Sequence, residues 1–306
     1  MQVANRNKEL ESRVLSTLQY FHVFTHPLFV DDIYRYLSET VSIGELNNVL
    51  DDMEKRHVIY KHKDMYMLVN NPALTDKRIK GEAIAQKRLQ KAKLSTKIIA
   101  QFPFVSSICI SGSLSKGYAD DNSDIDFFII TKAKRLWICR TTLHLFKKLT
   151  FLFGKQHSFC MNYFIDESYL ELEEQNKFTA TELVTLIPVY NRATFEILEK
   201  KNSAWVKELL PNASWNENKT VPDNKSFIKA FAEFMFNILW PEQLNSFLMK
   251  LTDRRWRKKW MKRNYPMAEY DLAMKTKWYV SKHHPSNNQK KVLEVQINRA
   301  DIQTAH

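Results

Sequence analysis

The stretch from Ile108 to Thr131, ICISGSLSKGYADDNSDIDFFIIT, constrains this chain more than any other. It holds Gly112 and Gly117, two of only 5 glycines in 306 residues. It closes on Asp124 and Asp126, one residue apart inside an apolar run. Residues i and i+2 of a strand point to the same face, so the two carboxylates project together. Two carboxylates that close repel unless a cation sits between them. Ile125, Phe127, Phe128, Ile129 and Ile130 surround the pair, so the strand reads as largely buried. A buried pair implies a divalent cation, and carboxylate with phosphate oxygens suits Mg²⁺.

The glycine side completes the pattern. Gly112 and Gly117 let the backbone approach an anion closely. Ser111, Ser113 and Ser115 supply hydroxyls, and Lys116 supplies a positive charge. A short helix opened by SLSKGYA adds N–H groups that favour phosphate. A phosphate cradle opposite a metal pair is the layout for metal-assisted phosphoryl or nucleotidyl transfer. A Gly-Ser turn alone is a weak signal, and so is a D-x-D alone. Together, between two apolar strands, they are specific.

SGSLSKGYADDNSDIDFFII resembles the signature of the nucleotidyltransferases of the DNA polymerase beta superfamily: an apolar strand, Gly-Ser, a short helix, then D-x-D on the next strand. The resemblance implies an α/β (α+β) core with a small mixed sheet flanked by helices, and an NTP bound as its Mg²⁺ complex. It implies that Gly112 and Ser113 hold the triphosphate and that Asp124 and Asp126 bind the metal. It is specific over about Ser106 to Thr131. More loosely, the whole chain resembles a bacterial group in which a winged-helix segment precedes this core. The stretches FHVFTHPL, NYFI, TATELVTLIPVY and SKHHP carry that wider likeness. Superfamily members usually have a third carboxylate on a later strand, as metal ligand and proton acceptor. The matching strand here is FCMNYFID, whose middle is Asn162, which cannot act as a base. Asp166 shares strand parity with Asn162 but lies roughly 13 Å further along an extended strand. The third role is therefore missing, filled by Asp166 after a bend, or taken by water.

Before this core, helical spacing of Leu10, Val14, Leu18 and Phe21 predicts a first helix, and a short second helix follows Pro27. SIGE (Ser42 to Glu45) is a capping-box pattern opening a third helix with Leu46, Val49, Leu50 and Met53 on one face. HVIYKHKDMYMLV reads as two strands around His62-Lys63-Asp64. Three helices and a hairpin in this order resemble a winged helix-turn-helix. The expected domains are a winged-helix-like unit over 1–72, a nucleotidyltransferase core with a basic linker helix over 73–200, and a helical, basic unit over 201–306. Within the core, strands are expected over Val105 to Ile110, Ile125 to Thr131 and His157 to Asp166.

The net charge of +12 favours anionic partners. The third helix, ELNNVLDDMEKR, is acidic where a reading helix meets phosphate, which counts against DNA docking. In DRRWRKKWMKR, Trp256 and Trp260 share a helix face, which favours packing over base stacking. His283 and His284 are adjacent, so they do not share a helix face as a metal pair would; a packed or substrate-side loop is expected. Cys109, Cys139 and Cys160 lack metal-ligand spacing and read as buried thiols of a reducing, cytoplasmic compartment. The apolar run from Phe227 to Trp240 is too short for a membrane span, carries Lys229 and Glu233, and is stopped by Pro241. The expected function is Mg²⁺-dependent transfer of NMP from an NTP to a nucleic-acid, protein or small-molecule acceptor. The alternative is a non-catalytic nucleotide-binding or nucleic-acid-binding regulatory protein.

Overall fold

The chain is seen in a computed structural model that describes residues 2–150, 158–217, 220, 226–239 and 242–295. His157, Trp240 and Pro241, which bound two of the expected elements, lie outside the described residues.

The N-terminal unit runs α1 (Gln2–His22), β1 (Leu28–Phe29), α2 (Val30–Tyr36), α3 (Ile43–Lys55), β2 (Tyr60–His62) and β3 (Met65–Met67). Its small antiparallel sheet has the order β1-β3-β2. The apolar stripe of α1 is buried at Leu10, Val14, Leu18 and Phe21, as its spacing predicts. Ser42 caps α3: its Oγ accepts from the Glu45 N–H at 3.2 Å, and Glu45 Oε2 accepts from the Ser42 N–H at 2.9 Å. The β2–β3 turn places Lys63 and Asp64 at φ of 48° and 61°, the left-handed pair that a tight hairpin turn needs. β1 is only two residues long and leaves no alternating pattern to read.

The long helix α4 (Ala73–Ile99) links this unit to the main sheet. Not all of its cations face solvent. Arg78 is buried, pairs with Asp32 and Glu82 at 2.8 Å each, and donates to the Pro27 carbonyl. Removing a partner would strand a buried charge, so this cluster fixes α4 against α2.

The main sheet contains β4 (Val105–Ile110), β5 (Asp126–Thr131), β6 (Cys160–Asp166), β7 (Ile187–Tyr190), β8 (Met274–Lys277) and β9 (Val280–His283) in the order β7-β4-β5-β6-β9-β8. Among the described residues only β5 and β6 are paired in parallel; the other pairings of this sheet are antiparallel. The crossover between them carries α6 (Leu136–Thr150). β5 is buried on both sides, which explains its unbroken apolar run. Phe127 and Ile129 join the core beneath α4 and α6. Phe128 and Ile130 join a core shared with the N-terminal unit, α7 (Lys177–Thr185) and α8 (Arg192–Leu209). The front unit is therefore continuous with one face of the sheet.

Two features depart from expectation. Ile187–Tyr190 is an edge strand, where Pro188 removes no ladder bond that a neighbour needs. The last third, expected to be helical, does supply α9 (Phe227–Leu239), α10 (Glu242–Met261) and α11 (Tyr270–Ala273), but its β8–β9 hairpin extends the core sheet beside β6. Trp256 and Trp260 lie on α10 and pack against Tyr270, Ala273 and Met274.

Candidate active site

The two halves of the central motif meet physically. Ser111 N–H donates to the Asp126 carbonyl at 3.0 Å, closing the end of the β4–β5 pair. Gly112 follows at φ +69°, and a Cβ there would lie 2.5 Å from Asp126 Oδ2. Glycine is needed twice over: for its backbone angle, and for the close approach of its Cα to a carboxylate. The anion it approaches in this structure is the chain's own Asp126. The helix after it, α5 (Gly112–Ser115), is a single turn. Ser115 Oγ and Lys116 Nζ both donate to the Gly112 carbonyl, at 2.9 and 3.2 Å, and stiffen that turn.

The connecting loop is held from α4. Arg88 donates to the carbonyls of Asp121, at 2.7 Å, and of Ser123. Ala119 N–H donates to the Gly81 carbonyl at 3.2 Å, and the Tyr118 ring occupies the space a Gly81 side chain would need. The basic helix thus positions the segment that delivers Asp124, which stands just before β5; Asp126 is the first residue of that strand.

Asp126 is the electrostatic centre. Its carboxyl is pushed up to about 6, foremost by burial; a Cys160 hydrogen bond opposes this, and the charges of Asp124 and Glu182 add to it. Its Oδ1 accepts from Asn162 Nδ2 at 2.6 Å, and Asn162 Oδ1 accepts from the Cys160 thiol at 3.1 Å. The parallel β5–β6 register shifts between Phe127, opposite Met161, and Phe128, opposite Tyr163, which leaves Asn162 as the extra residue of a bulge. Bulges re-aim side chains next to functional sites, and this one turns Asn162 onto Asp126. The asparagine therefore stands beside Asp126, where the resemblance implies a third carboxylate.

Asp166 does not come to this site. It pairs with Thr131 at the far end of β5, while Asp126 pairs with Cys160 at the near end. It is fully buried and accepts from Lys134 N–H at 2.6 Å and from Ser168 N–H at 3.0 Å, capping two turns. No bend brings it back, because β6 runs as one strand from Cys160 to Asp166. Asp166→Ala should lower stability by roughly 1–3 kcal/mol, the cost of orphaned buried donors, and leave nucleotide affinity unchanged. Thermal unfolding and calorimetric titration of the one variant check both halves.

A cavity of about 480 Å³ opens over the motif. Ser111, Gly112, Ser113, Lys116 and Asp126 line one end. Phe21, Phe24 and His26 of the N-terminal unit, Glu182 of α7, and Lys282 and His284 of the β8–β9 segment are among the other lining residues. Lys116 is committed to Glu182 Oε1 at 2.7 Å. Burial lowers His26 to about 3 and His284 to about 4, so both are neutral at physiological pH. The adjacent histidines part ways: His284 faces the cavity, whereas His283 packs on Trp256 with ring centroids 4.6 Å apart. Glu182 escaped the sequence reading because α7 reaches the site only through the tertiary fold. Among the described residues, no group of three or more His, Cys, Asp or Glu is arranged to hold a metal ion.

Residues 91–210 match the family model described as a nucleotidyltransferase domain. The matched segment spans the end of α4 through α8 and contains Gly112, Ser113, Asp124 and Asp126. It supports nucleotidyl transfer as the reaction class and implies an NTP as substrate. No curated protein and no solved structure gives a significant match to the chain. Among the described residues no helix is long and apolar enough to cross a membrane.

Proposed function

We propose that the protein is an Mg²⁺-dependent nucleotidyltransferase that moves NMP from an NTP to an acceptor entering the cavity. The observation that carries this reading is Asp126: a partly buried carboxyl beside Asp124 and Glu182, raised to about 6, within van der Waals reach of a glycine turn. Carboxylates brought together at a buried position beside a turn with room for phosphate are the donor set a divalent metal takes. Asp124 and Asp126 would hold Mg²⁺ through hard carboxylate oxygens. Bound there, the ion supplies charge neutralisation at the phosphates. Gly112 gives the triphosphate room, and the Ser113 hydroxyl and the turn's N–H groups orient it. Lys116 would reach phosphate by leaving Glu182, which then becomes a free carboxylate on the cavity wall. Catalysis would rest on positioning and electrostatics, with no covalent intermediate.

The N-terminal order α1-β1-α2-α3-β2-β3, with its sheet order β1-β3-β2, supports the winged-helix reading. Its role here is that of a cavity wall, through Phe21, Phe24 and His26. The acidic surface of α3 argues against a reading helix: Glu45 and Asp52 are engaged by Arg6 and Arg56, and Asp51 lies exposed beside them. All three cysteines are free and buried, which supports a reducing, cytoplasmic compartment.

A second reading, nucleotide binding without turnover, is favoured by Asn162, which donates to Asp126 and cannot accept a proton from an acceptor hydroxyl. Calorimetric titration of each NTP, with and without Mg²⁺, tests the site. Binding should require Mg²⁺ and vanish in Asp124→Asn/Asp126→Asn. Wild-type protein that binds no NTP would remove both readings. Pyrophosphate release over an acceptor series then separates transfer from binding alone.

A further inference from the structure

Helix α9 is turned inside out. Its two charged residues face the core: buried Lys229 donates to the Val105 carbonyl at 2.8 Å and to Tyr190 Oη at 3.2 Å, and Glu233 accepts from Phe104 N–H at 2.8 Å. Five of its apolar residues face out, with Phe227 84%, Ile228 77%, Phe231 56%, Phe234 59% and Ile238 60% exposed, while Phe236 packs inward against Phe104. An ordinary surface helix has the reverse arrangement. Phe227, Phe231, Phe234 and Ile238 fall at i, i+4, i+7 and i+11, the alternating spacing of a helix–helix seam.

We propose that this face is the interface of a homodimer, in which α9 packs antiparallel to α9 of a second copy across a two-fold axis. Three observations select that occupant. The exposed apolar area of these five side chains, about 600 Å² at ~200 Å² for a full side chain, stands at the upper end of what monomers leave uncovered and reaches the lower range of one side of a stable interface. The seam is self-complementary: antiparallel pairing about its middle sets Phe231 of one protomer against Phe234 of the other. The side of α9 opposite this face is packed on the start of β4, with Lys229 and Glu233 engaged there, whereas a helix lying on a membrane keeps a cationic polar face in the headgroups.

The contact leaves the candidate active site open. Lys229 docks at Val105, the start of β4, while Gly112 follows its far end, about 17 Å away at 3.3 Å per residue. The interface therefore goes beyond the nucleotide-binding reading and does not depend on it.

Sedimentation velocity across a wide concentration range, on the full chain, is the test. Wild type should dimerise reversibly. Phe231→Glu/Phe234→Glu should raise the dimer dissociation constant at least about 100-fold, since two central aromatics are lost and like charges face each other. Phe231→Lys/Phe234→Glu should recover part of that loss, because antiparallel pairing sets Lys against Glu. Circular dichroism and melting establish that both variants fold. A wild type that stays monomeric throughout overturns the proposal, as does equal dimerisation by the Glu/Glu variant. Binding of monomeric wild type to phosphatidylserine vesicles would give the face to lipid instead.

Discussion

Asp126→Asn should make the ligand-free protein more stable while abolishing its Mg²⁺-dependent NTP binding. The two effects share one cause. Asp126 titrates near about 6 in the fold against an ordinary 3.8, so folding disfavours its charged form. A raised carboxyl destabilises the fold above its folded value. The penalty builds as pH rises from about 4 to about 6 and is complete above that window. At pH 7.5 the shift corresponds to roughly 1–3 kcal/mol. Asparagine keeps the shape, still accepts the Asn162 hydrogen bond, and carries no charge. The variant should therefore melt several degrees higher than wild type at pH 7.5, and the gap should shrink toward pH 4.5. Adding Mg²⁺ and NTP should raise the wild-type melting temperature and leave the variant unmoved. An Asp126→Asn protein less stable than wild type at pH 7.5 would show that the carboxylate is a structural anchor, and the metal reading would lose its main support.

That expectation rests on features of unequal legibility. The D-x-D and the Gly-Ser turn are close in sequence and flanked by two apolar strands, and Gly112 does meet Asp126, although Asp124 stands just outside the strand that parity assumed. The α1 stripe and the Ser42 capping box are likewise short-range, and both form as their spacing dictates. What escaped reading is what tertiary contact creates. β8 and β9 are short and lysine-bearing, hence poor strands by pattern. They hold because Lys275 and Lys277 pair with Glu173, and Lys282 with Glu174, about a hundred residues earlier in the chain. Strand parity assigned Asp166 to the face of Asn162, but parity assumes an unbroken register. The bulge at Asn162 breaks that parity locally, and Asp166 lies at the far end of β6 from Asp126, where it caps a loop. Lys77, Lys80, Lys87, Lys91, Lys93 and Lys97 of the basic helix α4 do face solvent. Arg78 and Arg88 instead act as struts, one to the N-terminal unit and one to the loop before Asp124. Charge count alone does not distinguish a cation in solvent from one that holds two carbonyls.

Gly112→Ala should cost far more stability than one added methyl group ordinarily does. Two separate costs act there. At φ +69° an alanine is strained by about 1–2 kcal/mol. Its Cβ would also stand 2.5 Å from Asp126 Oδ2, closer than real Cβ contacts come. Asp126 has little freedom to retreat, because its other oxygen is tied to Asn162 at 2.6 Å and its carbonyl to Ser111 N–H at 3.0 Å. A total loss of roughly 2–4 kcal/mol is expected, with NTP binding abolished as the turn and the carboxylate are pushed apart. Gly117 is the internal control. It has nearly the same backbone angle, φ +73°, but nothing lies within 4 Å of its would-be Cβ. Gly117→Ala should therefore show the strain alone, about 1–2 kcal/mol. The difference between the two variants measures the close approach of Gly112 to Asp126. In a double-mutant cycle, the coupling between Gly112→Ala and Asp126→Ala should equal that difference, because the clash needs both side chains while the strained angle and the loss of the Asp126 charge each act alone. Equal losses for Gly112→Ala and Gly117→Ala, by chemical denaturation, would mean that the turn and the D-x-D are not in contact, and the cradle would have to be placed elsewhere.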